Sequence, residues 1–290
     1  MSKDITRRSV LKAFGALGAA ASLDSVGSLF GAESMLMPKK VDKLSGEPVL
    51  TVAHCADPQF GFAGVDYGPH LERCERLIDV VNAAGPDVVF FAGDMCDDKN
   101  DLQKDWPRLL ERIKPPVLVA PGNHDIYDPV VRKDVEAYCA IFGADYESLT
   151  INEWKIVVVN SQYCRDTDET ELYEKQVEWF TKELTEAKAS GTPVILGSHV
   201  PPFVNELDEE DDYFNFPSAI RRDYLEYARQ HGCRFCLAGH THTTLEREYE
   251  GVKLLNSETT SLNFDERPFG FRMLKIDAEM NYEWNFVGLD

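Results

Sequence analysis

Five short apolar runs in this 290-residue chain end alike, and that repetition constrains the fold more than any bulk property. Val49-Leu50-Thr51-Val52-Ala53 leads to Asp57-Pro58-Gln59. "DVVFFA" leads to Gly93-Asp94, and "PVLVAP" to Gly122-Asn123-His124-Asp125. "TPVILG" leads to Ser198-His199, and "CRFCLA" to Gly239-His240-Thr241-His242. Asp, Pro and Gly are ordinary turn formers, so one such strand end would mean only a turn. Five in order place polar residues of one chemical kind at the C-terminal ends of strands. In α/β sheets that edge is where ligands bind.

Amphipathic segments separate the runs. The pattern predicts helices from about Leu71 to Ala84, Leu102 to Ile113, Val130 to Phe142, Glu171 to Ala189 and Ser218 to Gln230. The closing part, from "TTLEREYEGVKLLNS" onward, is strand-rich. Continuous apolar strands between helices argue for buried, parallel or mixed sheets. Two such sheets packed face to face with helices outside give a four-layer α/β/β/α sandwich. One domain over 48–290 accommodates the whole pattern, with 33–47, "ESMLMPKKVDKLSGE", as a linker before it.

Asp, Gln, Asn and His supply oxygen and imidazole donors, and no thiolate stands among the five sets. Such donors suit Mn, Fe, Zn or Mg. A shared carboxylate can bridge two ions ~3.5–4 Å apart, the separation of two-metal hydrolytic sites. Glycines before Asp94, Asn123 and His240 let the backbone turn sharply and approach closely.

The order D-x-Q, GD, GNHD, H, GHTH resembles the calcineurin-like metallophosphoesterase family over residues 48–290. The resemblance implies a two-sheet sandwich with a dinuclear centre. It implies that Asp57, Gln59, Asp94 and His242 hold the first metal. Asp94 then bridges, and Asn123, His199 and His240 hold the second. His124 would face the phosphate as general acid or charge stabiliser, with Asp125 orienting its imidazole. The implied reaction is phosphate-ester hydrolysis by a metal-bound hydroxide.

Gln59 departs from the family, most of whose members have His there. The wording "ADPQFG" is similar to a subgroup that includes a protein-serine/threonine phosphatase, which points to a phosphomonoester substrate. An amide oxygen in place of imidazole makes the first site harder. Weaker retention of that ion, and Mn or Mg over Zn, are the expectations. Members that keep ferric iron use a Tyr in G-D-x-x-Y; Asp97 stands at that position here, so no purple ferric site is expected. Two other readings stay open: a phosphodiesterase of the same family, and a metal-binding scaffold with little turnover.

A formal net charge of −20 argues against phosphate-neutralising nucleic-acid binding and against an anionic membrane surface. The N-terminus differs from the rest. Thr6-Arg7-Arg8-Ser9-Val10-Leu11-Lys12 precedes an Ala/Gly-rich stretch, Ala13 to Ala21, too short to span a bilayer. It resembles a bacterial twin-arginine export signal over 1–32. Export by that machinery to the periplasm or beyond is the expectation.

Seven scattered cysteines argue against a disulfide framework. In Cys233-Arg234-Phe235-Cys236 the strand period points the sulfurs to opposite faces, so a core role is expected. His54 is expected in the core or behind the ligands, and His70 and His231 on the surface. The acidic run 206–212 reads as a solvated loop, or as a rim selecting cationic substrates. Phe60, Phe62 and Tyr67 read as an apolar lip or as loop packing.

Overall fold

The computed structural model describes residues 36–165 and 170–289. The segment 1–32, read as an export signal, lies outside them.

Twelve strands among the described residues form two six-stranded mixed sheets. The first has the order β1 (Lys39–Lys40), β12 (Asn281–Gly288), β11 (Gly270–Ile276), β2 (Leu50–Cys55), β3 (Val88–Phe91), β4 (Val117–Val119). The second has the order β5 (Glu147–Ile151), β6 (Trp154–Val158), β7 (Val194–Gly197), β8 (Cys233–Ala238), β10 (Val252–Asn256), β9 (Leu245–Tyr249). In the first sheet β2, β3 and β4 run parallel and β11 is antiparallel to both β2 and β12; in the second, β6, β7, β8 and β10 run parallel with β5 and β9 antiparallel at the two edges.

The strand period of two sorts the side chains between two cores. Leu50, Val52, Val88, Phe90, Ile156, Ile195, Phe235 and Leu274 fill the space between the sheets. Their neighbours Ala53, Cys55, Val89, Phe91, Val157 and Leu196 point outward to the helices. Among the described residues five α-helices cover those outer faces: α1 (Tyr67–Ala84), α2 (Leu102–Leu110), α3 (Arg132–Phe142), α4 (Thr170–Ser190) and α5 (Ser218–Gln230). Trp106 of α2 meets Phe91 edge-on at 5.6 Å, and the Tyr138 hydroxyl of α3 donates to the Val119 carbonyl at 3.0 Å. The expected four-layer sandwich is the observed one.

Several local expectations need correction. Helix α1 begins four residues early, and α2 stops three residues before Ile113. The stretch read as a linker is bonded to the first sheet: β1 pairs in parallel with β12, and the Leu44 N–H donates to Glu283 at 2.8 Å. Cys233 and Cys236 do share a face, with their Sγ atoms 3.9 Å apart. Val194 pairs with Cys233 but Ile195 pairs with Phe235, so Arg234 is an extra residue that breaks the period. Both thiols are buried in the outer core, as a packing role requires. His70 and His231 are buried rather than on the surface. The Gly61 N–H donates to His70 Nδ1, and His231 stacks on Tyr227 with ring centroids 4.0 Å apart.

Candidate metal centre

All five motif loops meet at one edge of the sandwich, where β2, β3, β4, β7 and β8 end. The Asp57 N–H donates to the Gly93 carbonyl and the Gln59 N–H to the Asp94 carbonyl, joining the first two loops. The His124 N–H donates to Asp94 Oδ1 at 2.9 Å, joining the second and third. The His240 N–H donates to the Asp57 carboxylate at 3.1 Å, joining the fifth to the first.

Backbone conformation carries part of this convergence. Asp57, Gln59, Asp94, His240 and His242 all have positive φ, between 40° and 68°. Each such non-glycine conformation costs on the order of 1 kcal/mol or more, and residues held this way cluster at functional sites. The glycines permit close approach. A Cβ on Gly122 would lie 2.0 Å from Asp94 Oδ1, and one on Gly239 would lie 2.5 Å from Asp57 Oδ2.

The side chains then assemble. Asp94, His199 and His240 are buried, each with a donor atom within 4.8 Å of the other two. His199 Nε2 lies 3.4 Å from Asp94 Oδ2 and 3.0 Å from Asn123 Oδ1. On the other side, His242 Nε2 lies 3.7 Å from Asp57 Oδ1. Each imidazole is fixed through its second nitrogen. His199 Nδ1 lies 2.6 Å from the Ala92 carbonyl, His242 Nδ1 2.7 Å from the Leu262 carbonyl, and His240 Nε2 3.0 Å from the Tyr213 carbonyl. Such bonds set the tautomer, leaving His199 Nε2, His242 Nε2 and His240 Nδ1 as lone-pair nitrogens.

Two observations test whether this set fits metal ions. Gln59 Oε1 is buried and accepts no hydrogen bond, a cost of roughly 1–3 kcal/mol in an apolar setting that a coordinated cation removes. Protonation points the same way. Burial, reinforced by Asp94, pushes the Asp57 carboxyl well above the ordinary range. Burial lowers His199 to about 3 and His240 well below its usual value, which keeps the imidazoles neutral. Neutral imidazoles and crowded buried carboxylates are what a divalent cation requires and offsets. The donors fit.

His124 stands half-buried beside the cluster, on the wall of a cavity of about 450 Å³ shared with Asp97, Asn123, Tyr127, Asp128, Arg165 and Tyr213. Its Nδ1 lies 2.9 Å from the Asp97 carbonyl and 3.1 Å from Asp97 Oδ1. The carboxylate beside the imidazole is therefore Asp97. Asp125, expected in that role, is buried and accepts from the Met95 and Gly122 N–H groups at 2.8 Å each, clamping the GD loop to the GNHD loop.

Sequence reasoning missed Asp97, Arg165 and Tyr213. Arg165 follows the apolar run "WKIVVVN", a sixth strand end whose "SQYCR" has neither the Asp nor the His found in each of the other five. Tyr213 closes the acidic run. Its hydroxyl accepts from Asn123 Nδ2 at 2.9 Å and its ring lies 4.7 Å from that of His240. The acidic run is neither wholly solvated nor a plain anionic rim. Glu209 accepts the Val204 and Asn205 N–H groups, and buried Arg221 donates to the Leu207, Glu209 and Phe216 carbonyls. Phe62 lies 5.0 Å from His242 and forms the lip on that side, whereas Phe60 stacks on Trp106 and Tyr67 packs edge-on to Phe60. His54 is a core residue between Phe90 and Trp284.

The sequence pattern described as calcineurin-like phosphoesterase matches residues 50–244, two-thirds of the chain and all five motifs. The chain belongs to this family. The rat serine/threonine-protein phosphatase CPPED1 is 25% identical over 249 residues, covering 77% of this chain and 79% of that protein. The 3',5'-cyclic adenosine monophosphate phosphodiesterase CpdA of Escherichia coli K12 is 26% identical over 208 residues, covering 67% and 71%. In fold, the chain is similar to a dimetal phosphatase from Danio rerio, with a TM-score of 0.61 at 14% identity, covering 84% of this chain and 98% of that one. Family and donor set together make the protein a metal-dependent hydrolase. No helix among the described residues is long and apolar enough to cross a membrane.

Proposed function

We propose that this phosphoesterase is a phosphomonoesterase that works with two divalent ions, manganese favoured, and accepts phosphoprotein-like substrates. The observation that carries the reading is the buried Asp94–His199–His240 cluster beside a cavity walled by His124. The likeness to CPPED1 supports the monoester preference. Asp57, Gln59, Asp94 and His242 would hold one ion, and Asp94, Asn123, His199 and His240 the other. The hard Gln59 amide oxygen supports manganese or magnesium over zinc.

Bound divalent cations would neutralise the phosphate and make a coordinated water acidic near neutral pH. The chain's own part is positional. Backbone bonds aim the ligand nitrogens, and Tyr213 covers His240. His124 Nδ1 is held by Asp97, which leaves Nε2 to the cavity. A protonated imidazole there donates its Nε2 proton to the leaving oxygen, with the Asp97 carboxylate stabilising the cation.

Metal should be stripped by chelation and manganese returned, and p-nitrophenyl phosphate compared with bis-p-nitrophenyl phosphate. Restored hydrolysis of the monoester by at least about tenfold over the diester is expected, with Asn123→Ala as an inactive control. Diester hydrolysis alone would replace this reading with the one that likeness to CpdA favours. No hydrolysis of either with Mn, Fe, Zn or Mg would leave a scaffold. We also propose that residues 1–32 direct twin-arginine export, on the strength of Arg7-Arg8 and the short apolar stretch after them. A cytoplasmic precursor in an Arg7→Lys/Arg8→Lys variant and a shortened periplasmic form of the wild type would be the expected fractionation.

A further inference from the structure

Among the described residues Arg165 is the one guanidinium or ammonium group on the cavity wall, and it has no assigned task. It follows the 3-10 turn Ser161–Cys164 at the C-terminal end of β6, and its N–H donates to the Gln162 carbonyl at 3.1 Å. Its Nη1 is buried with no hydrogen-bond partner among the described residues. Its Cζ lies 4.9 Å from the centroid of the Tyr213 ring, the same ring that lies against His240 and whose hydroxyl is held by Asn123. Tyr213 thus ties the guanidinium to two of the candidate ligands.

A buried guanidinium N–H without an acceptor is costly unless an anion completes it. Asp97 and Asp128 also line the cavity, yet among the described residues Arg165 forms no ion pair with either, and the Asp97 carboxylate lies against His124 instead. The planar fork of Arg matches phosphate oxygens and reads their number and charge.

Resting on the phosphatase reading of the same cavity, we infer that Arg165 is a phosphate-binding residue whose guanidinium donates to a non-bridging oxygen of a phosphomonoester dianion and sets the preference for monoesters over diesters. A monoester offers three non-bridging oxygens and two negative charges. A diester offers two and one, and its second ester group competes for the space beside Arg165 and Tyr213.

Two measurements on the manganese-loaded full chain separate this role from the reading it rests on. The first is binding of inorganic phosphate by calorimetry to wild type, Arg165→Ala and Arg165→Lys, with metal content checked in each. Arg165→Ala is expected to raise the phosphate Kd by about thirtyfold with metal content unchanged, and Arg165→Lys to recover part of the loss. The second is kcat/KM for p-nitrophenyl phosphate against bis-p-nitrophenyl phosphate. The monoester-to-diester ratio is expected to fall at least about tenfold in Arg165→Ala, mostly through KM. Unchanged phosphate affinity in both variants, or an unchanged ratio, overturns the assignment. If the wild type cleaves only diesters, the monoester reading falls on its own and the calorimetry still decides whether Arg165 binds phosphate. Thermal melting identifies a misfolded variant, and Arg165→Lys, which keeps the charge and stem, then supplies the comparison.

Discussion

His124 and its two aspartates show what one residue's neighbourhood decides. Asp125 is adjacent in sequence, yet its carboxylate points into backbone N–H groups of two loops. Asp97, twenty-seven positions back, meets the ring. The motif residues were legible because each belongs to a short local pattern with a recognisable chemistry. Asp97 was not, because its contact exists only once two loops have packed. Asp97→Asn should therefore depress turnover where the leaving group needs a proton. Phenyl phosphate is expected to lose about tenfold or more in kcat, and p-nitrophenyl phosphate, with its better leaving group, much less. Equal losses on both esters would remove Asp97 from proton transfer. Gly122→Ala tests the close approach of the loops. Its Cβ would lie 2.0 Å from Asp94 Oδ1 and 2.2 Å from Asp94 N, and the backbone atom cannot yield as a side chain would. Manganese affinity, followed by equilibrium dialysis, should drop about tenfold or more while far-ultraviolet circular dichroism stays native.

At the scale of elements, period explains both successes and failures. Strand alternation held for β3, where Val88 and Phe90 face one core and Val89 and Phe91 the other. It failed at β8 because an extra residue, Arg234, is invisible to a count of two. Charge patterning was right in part for the loop before α5, where Glu206, Asp208, Glu210, Asp211 and Asp212 are exposed. Seven residues with six acids suggest solvent, but Glu209 and Asn215 fold the loop on itself and Arg221 of α5 fastens it from beneath. The strand ending at β6 shows the opposite error: its polar residues are not ligands, so Arg165 escaped a search for metal donors. Arg221→Leu should leave the carbonyls of Leu207, Glu209 and Phe216 without their buried donor, at a cost of about 3 kcal/mol. A protease specific for acidic residues is expected to cut within 205–216 faster than in wild type, and phosphatase activity to fall as Tyr213 loses its seat. Unaltered cleavage would show that the loop holds without the guanidinium.

At the scale of the molecule, the two sheets must keep their relative position, because the candidate ligands come from both. Asp57, Asp94 and Asn123 follow strands of the first sheet, and His199, His240 and His242 follow strands of the second. His54 joins the sheets: it lies on β2, and its Nε2 is 3.0 Å from the Ala238 carbonyl on β8. The ring is fully buried, and Nδ1 has no partner among the described residues. Burial lowers its pKa to about 3, with the Arg272 charge adding to the effect against the Ala238 bond. The folded chain therefore keeps His54 neutral, while the unfolded chain takes up a proton near pH 6.5. Stability from this residue is whole above that pH and is lost progressively as pH falls from 6.5 toward 3. By pH 5 the loss from one such group reaches about 2 kcal/mol. His54→Gln places an amide nitrogen near the same carbonyl and does not titrate. The variant is expected to be less stable than wild type at pH 7.5, and to lose less than wild type between pH 7.5 and 5 in urea unfolding at fixed manganese. Parallel losses in the two proteins would mean that the imidazole shared by the sheets is not what acid attacks.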